Sequence, residues 1–155
     1  MRWVDSDPAA VSGKRSFLGW RSSSGALTNV EPNTLTNVVG IAQSSTDSTQ
    51  WQWYAAGSSV GSYSAVGTAI GAPGGSNSGT AWELAIFAPY SSANTFYLQL
   101  TNLTLNLSAS TSFTGGATVI PQSSTLLCPH LWATNNATAA AVGIDVCSIY
   151  IETDT

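Results

Sequence analysis

Apolar residues along this chain gather in short runs divided by Gly, Ser, Thr, Asn and Pro. The runs are RSFLGW (15–20), NVVGIA (37–42), QWQWYA (50–55), SAVGTAI (64–70), AWELAIFA (81–88), NTFYLQL (94–100), LTLNLSA (103–109), TLLCPHLWA (125–133) and AAAVGIDVCSIYIE (139–152). SSTDST, GAPGGSNSG, PYSSAN, TGGA and TNNAT stand between them as turn clusters. No helical i, i+3, i+4 spacing of Leu, Glu and Lys is sustained anywhere, and many short β-rich runs at this interval predict an all-β, antiparallel, jelly-roll-like sandwich. In LTLNLS the alternation is strict, so Leu103, Leu105 and Leu107 are expected on a core face and Thr104, Asn106 and Ser108 on a polar one. Residues 143–152 are expected to form a long central last strand. A hairpin of 125–133 with 141–151 around TNNAT would set Cys128 opposite Val146 or Cys147.

The length of 155 residues fits one domain with a core of its own. Residues 15–155 are expected to be that domain, and residues 1–14 an N-terminal arm. Hydrophobic residues make up 43% of the chain and charged residues only 8%, against about 25% in an average soluble domain. A surface made neutral by Ser, Thr, Asn and Gly repels copies weakly, which points to burial in an assembly. Four basic residues and a net charge of −4 leave no basic stripe for nucleic acid. No apolar run reaches the roughly 18–20 residues of a membrane span, and MRWVDSDPAA has no apolar stretch of signal-peptide type. Two cysteines do not make a disulfide scaffold; both are expected as free, buried thiols.

Candidate chemistry is sparse. LLCPHLWATNN holds Cys128 and the only histidine, His130. On a strand, i and i+2 share a face with Cβ atoms about 7 Å apart, too far for a nucleophile and its base. A zinc site needs about three or four ligands, and only Asp145, Glu152 and Cys147 could join without any ligand spacing. Pro129 is expected at a bulge or sheet edge, and His130 to pack and make one hydrogen bond. Glu83 lacks a placed second acid; Asp145 or Asp47 would face it only by an accident of fold. No nucleophile elbow and no phosphate loop occur. The expectation is therefore no enzyme, no cofactor and no metal. WQWY sets Trp51 and Trp53 on one face, which is either core, a subunit interface or a carbohydrate platform with Asp47 and Gln52 beside it.

Three segments carry a resemblance. LTNVVGIAQSSTDSTQWQWY, AWELAIFAPYSSANTFYLQLTNL and STLLCPHLWATNNATAAAVGIDVCSIYIETD, in that order, resemble a β-sandwich domain of tailed-bacteriophage virion proteins, over about residues 15 to 155. The likeness lies in an Asn-hydrophobic-hydrophobic-Gly strand before an Asp-containing turn, a hydrophobic-Phe-Ala strand leading into a Ser/Asn turn, a Pro-His strand, and a Tyr-hydrophobic-Glu-Thr-Asp close. The resemblance implies a non-enzymatic virion protein, assembled in the host bacterial cytoplasm. It would be a homotrimer that decorates or cements the head by contact with the major capsid protein. The alternative it implies is a tail- or head-fibre module that binds host-surface glycan. Relatives often carry an attachment region upstream, where this chain has only MRWVDSDPAAVSGK; that favours a small self-contained surface protein. Arg2, Trp3 and Val4 are then the candidate capsid contact, with Arg2 and Trp3 as its anchor.

Overall fold

The computed structural model describes residues 1–7, 11–74, 79–90 and 94–152. Among them ten strands form: β1 (Arg2–Asp5), β2 (Arg15–Arg21), β3 (Val38–Ser44), β4 (Asp47–Ala56), β5 (Ser64–Ala65), β6 (Ala81–Phe87), β7 (Thr95–Asn102), β8 (Leu107–Thr114), β9 (Cys128–Thr134) and β10 (Ile144–Ser148). They build two antiparallel sheets of five strands, ordered β10-β1-β6-β7-β8 (sheet I) and β5-β4-β3-β2-β9 (sheet II). The chain is thus an all-β sandwich. The turn clusters GAPGGSNSG and PYSSAN, the arm and the closing ETDT each lie partly outside the described residues.

Two meanders, β2–β5 and β6–β8, fill the middle of the chain, and β9 and β10 then return to pair with β2 and β1. Between the sheets lie Trp3, Trp82, Leu84, Leu98 and Leu100 from sheet I and Leu18, Val39, Ile41, Trp51, Trp53 and Ala55 from sheet II. A second cluster, Phe17, Leu35, Val38, Ala42, Tyr54 and Ala56, covers the far side of sheet II. Both faces of β3 are therefore buried, which is why VVGIA reads as a continuous apolar run and not as an alternation. Gly19 and Gly40 face each other across β2 and β3. A Cβ on either would fall 2.2 Å from a carbonyl oxygen of the opposite strand, so only glycine lets the strands close there.

Tyr54 fastens the second cluster. Its hydroxyl lies 2.8 Å from the Leu35 carbonyl and 3.0 Å from that of Asn33, and accepts from the Gly61 N–H at 3.2 Å. Tyr63 meets its ring edge-on at 5.5 Å and accepts from the Asn33 N–H. Burial pushes both phenols above their usual range. Removing only the oxygen, in Tyr54→Phe, leaves buried carbonyls without their donor and should cost about 1–3 kcal/mol, read as a lower urea midpoint at unchanged slope.

Several expectations are corrected. Residues 2–5 are not an arm but an inner strand, paired on both sides with β10 and β6. LTLNLS is not a strand with a core face. Residues 103–106 form the β7–β8 turn, closed by Asn102 Oδ1 accepting from Thr104 and Leu105 N–H, and Leu103, Leu105 and Leu107 are exposed. Nor do 125–133 and 141–151 form a hairpin. After TNNAT the chain crosses between sheets, so Cys128 and Cys147 sit in different layers. The last strand is short and lies at the edge of sheet I. Both thiols are free, but Cys128 is half-buried and Cys147 exposed. Pro129 does lie on an edge strand, β9.

Candidate functional site

The outer face of sheet I gathers the exposed aromatic rings of two adjacent strands. Strand alternation turns Trp82, Leu84, Leu98 and Leu100 inward, and so turns Glu83, Ala85, Phe87, Tyr97, Gln99 and Thr101 outward. Register then aligns them in rows: Phe87 beside Tyr97 beside Ser112, Ala85 beside Gln99 beside Ser110, Glu83 beside Thr101 beside Ser108. Small Ala85, between the larger outward residues, leaves a shallow open trough of about 570 Å³. Phe87 (59% exposed) and Tyr97 (47%) wall it, and Gln99, Ser110 and Ser112 supply amide and hydroxyl groups. Charge on this face is confined to its β1 side, where Arg2 Nε reaches Glu83 Oε2 at 2.5 Å. Ring faces with neutral donors and acceptors suit a polyhydroxylated ligand or a flat protein surface, and nothing lining the trough would hold a phosphate.

The residues singled out from sequence fall elsewhere. Trp3 is fully buried between the sheets, so it cannot anchor the chain to a partner; Arg2 is exposed beside Glu83, and Val4 is half-buried. Trp51 and Trp53 also point into the core and form no carbohydrate platform. Their expected companions lie on the opposite side of β4. There Asp47 accepts from the Thr49 N–H and hydroxyl and from the Gln50 and Gln52 amides, and the Thr49 bonds hold its carboxyl below the usual range. The structure thus brings Asp47 and Gln52 together and separates both from the tryptophans.

His130 packs at a tilt on Phe17, 6.4 Å between centroids, as expected, and among the described residues its buried Nε2 finds no hydrogen-bond partner. Burial first, and Arg21 second, lower its pKa. Cys128 Sγ donates to the Arg21 carbonyl and not to His130. Among the described residues no three His, Cys, Asp or Glu side chains stand close enough to hold a metal ion.

Sequence reasoning passed over Phe87, Tyr97 and Gln99. A signal existed in the alternation of AWELAIF and TFYLQL, whose outward positions follow once the inward ones are fixed. It also passed over Lys14, Asp5 and Asp7, which meet in a buried cluster at the end of β1. Compared with protein-family models, with curated proteins and with solved structures, the chain finds no match.

Proposed function

We propose that the domain is a non-enzymatic structural protein of a bacteriophage particle. It would sit on the head as a decoration or cement protein, held to the major capsid protein by the outer face of sheet I. The observation that carries the reading is the pairing of exposed Phe87 and Tyr97 on an otherwise small, neutral sheet face. Aromatic anchors within a surface of low charge are the composition of an interface centre. The low charge of the whole chain and the resemblance of its three segments to phage virion domains support the same reading. The effect on the particle is mass action: a protein that binds only the intact lattice stabilises that lattice.

Self-association, as a homotrimer in this reading, is supported at the other margin of sheet I. Strand β10 is an unprotected edge, and Val146, Ile149, Tyr150 (77%) and Ile151 are exposed along and beyond it. The test pairs two measurements on particles stripped of the protein. Adding back the natural chain should restore heat resistance, and Phe87→Ser with Tyr97→Ser should fold yet fail to rebind. Rebinding by the double variant at natural affinity would sink this assignment.

The lining of the trough favours a second reading, a tail- or head-fibre module that takes neutral host glycan between Phe87 and Tyr97 with Gln99 and Ser110 on its hydroxyls. Binding on a glycan array that disappears in Tyr97→Ala, with no binding to stripped heads, would decide for it.

A further inference from the structure

We infer that Lys14 and Asp7 are joined by an isopeptide bond that the protein forms on itself, with Asp5 as the proton carrier. The reasoning starts from where the chain puts the three groups. Asp5 ends β1, Asp7 follows it, and Lys14 closes a turn by donating its N–H to the Val11 carbonyl before β2 begins. All three side chains are 1% exposed or less. Lys14 Nζ lies 2.5 Å from Asp7 Oδ2, below the usual hydrogen-bond range of about 2.7–3.2 Å, and 3.5 Å from Asp5 Oδ1.

The surroundings fit a reaction better than a plain ion pair. One buried cation faces two buried carboxyls, so a surplus negative charge would be held away from water, a costly state. Proton transfer from Lys14 to Asp7 would replace that ion pair by a neutral amine and a neutral acid, which cost less to bury, and leave the surplus charge on Asp5. Burial raises the Asp5 pKa, which favours a carboxyl able to hold and release a proton. The Gly143 N–H donates to Asp7 Oδ1 at 2.9 Å, where negative charge would develop during attack on Cγ. The Gly74 N–H holds Asp5 through Oδ2 at 3.3 Å. Gly74 itself closes the site. Its φ is +64°, and a Cβ there would stand 2.6 Å from Asp7 Oδ2 and 3.4 Å from Lys14 Nζ.

The step balances without any co-reactant. A proton crosses from the Lys14 ammonium to Asp7 Oδ2, leaving an amine and a carboxylic acid. The amine lone pair attacks Cγ, forming the Nζ–Cγ bond, and Oδ1 takes the charge against Gly143. Asp5 accepts a second proton from Nζ and passes it to the departing hydroxyl. The Cγ–Oδ2 bond breaks, water leaves, and an amide remains with Asp5 in its starting state. Holding amine and acid in contact supplies the large effective concentration that such a condensation needs. Asp7 has no competing cyclisation onto its own backbone, because the next residue is Pro8, whose nitrogen carries no hydrogen.

Intact-mass measurement of the natural chain tests this. The chain should weigh one water less than its sequence. The peptide from Trp3 to Arg15 should resist trypsin at Lys14 and give no backbone fragments between Asp7 and Lys14. Lys14→Arg and Asp7→Ala should restore the full mass. Asp7→Asn should form the same amide with loss of ammonia, and Asp5→Asn should slow the reaction severely. A natural chain of full mass overturns the inference, as does a water loss that persists in Lys14→Arg. Condensation at the natural rate in Asp5→Asn would overturn the role of Asp5.

Discussion

Exchanging Lys14 for methionine is expected to lower the unfolding free energy by about 3–5 kcal/mol, because it leaves Asp5 and Asp7 both as buried carboxyls with neither a Lys14 cation nor an amide to Lys14 to neutralise them. Lys14 is inaccessible, with Asp5 and Asp7 both inside ion-pair distance. The cluster also holds the end of β1 to two further segments through Gly74 and Gly143. Any covalent link from Asp7 to Lys14 would close only a short loop, so buried charge and not chain entropy sets the size of the loss. The pH dependence has a definite sign. Asp5 is raised above its ordinary 3.8, so between that value and its folded value the native state binds more protons than the unfolded chain. Without the Lys14 charge Asp5 is raised further, so the penalty on Lys14→Met should be greatest at neutral pH, shrink as pH falls from the variant's folded Asp5 value to the natural one, and stay flat below it. Adding Asp5→Asn and Asp7→Asn should return much of the loss, since neutral amides remove the stranded charge. Urea midpoints across a pH series give each number. A Lys14→Met variant as stable as the natural chain at neutral pH would show the cluster to be indifferent to its cation.

Strands that own a strong local pattern were legible in the sequence. RSFLGW, NVVGIA, QWQWYA, AWELAIFA and NTFYLQL all fall on strands β2, β3, β4, β6 and β7. Each is held in a meander, where neighbours in sequence are neighbours in space, so local signals suffice. The failures share the opposite cause. RWVD has four residues with charged ends and becomes a strand only because β6 and the distant β10 flank it. LTLNLS alternates, yet Asn102 caps the turn and Asn106, at φ 54°, takes the left-handed conformation that lets β8 reverse. TNNAT carries the same chemistry at Asn136 and Ala137, both at positive φ, but the chain leaves it toward the other sheet. A turn signal tells where a strand ends and not which sheet receives the next.

The candidate site was less legible for a related reason. A tryptophan pair at i and i+2 shares a face, but the sequence does not say whether that face looks inward. The sandwich decides it: of core, interface and platform, Trp51 and Trp53 take the core, and the exposed rings on the outer face of sheet I are Phe87 and Tyr97. Trp3, read as a surface anchor from its position near the chain start, is inward for the same reason. Lys14 left no pattern at all, because a buried cation at the head of a strand is recognisable only by the carboxyls that meet it.

Truncating Trp82 to alanine is expected to cost about 3–5 kcal/mol, the range for removing a fully enclosed aromatic side chain. Trp82 has no solvent exposure and belongs to a three-indole cluster that bridges the sheets. It stacks on Trp3 at 6.5 Å with an interplanar angle of 18°, and meets Trp51 edge-to-face at 5.9 Å and 82°; Trp3 and Trp51 meet at 5.9 Å and 87°. None of the three buried Nε1–H groups has a hydrogen-bond acceptor among the described residues. The edge-to-face contacts turn ring edges toward ring faces, where an N–H finds at most weak compensation. This gives a second, sharper expectation. Trp82→Phe removes the unpaired N–H while keeping a ring, so it should lose distinctly less stability than Trp82→Ala, and less than ring volume alone would give. Near-ultraviolet circular dichroism should lose its indole coupling in both variants, whereas the urea midpoint separates them. A Trp82→Phe loss as large as the removed ring volume alone gives would mean that the indole N–H carries no penalty. Trp51→Ala should be nearly as damaging as Trp82→Ala. Loss of binding in a Trp51 variant therefore reports a weakened core and not a lost contact, so a ligand test on this protein has to be made at Phe87 and Tyr97.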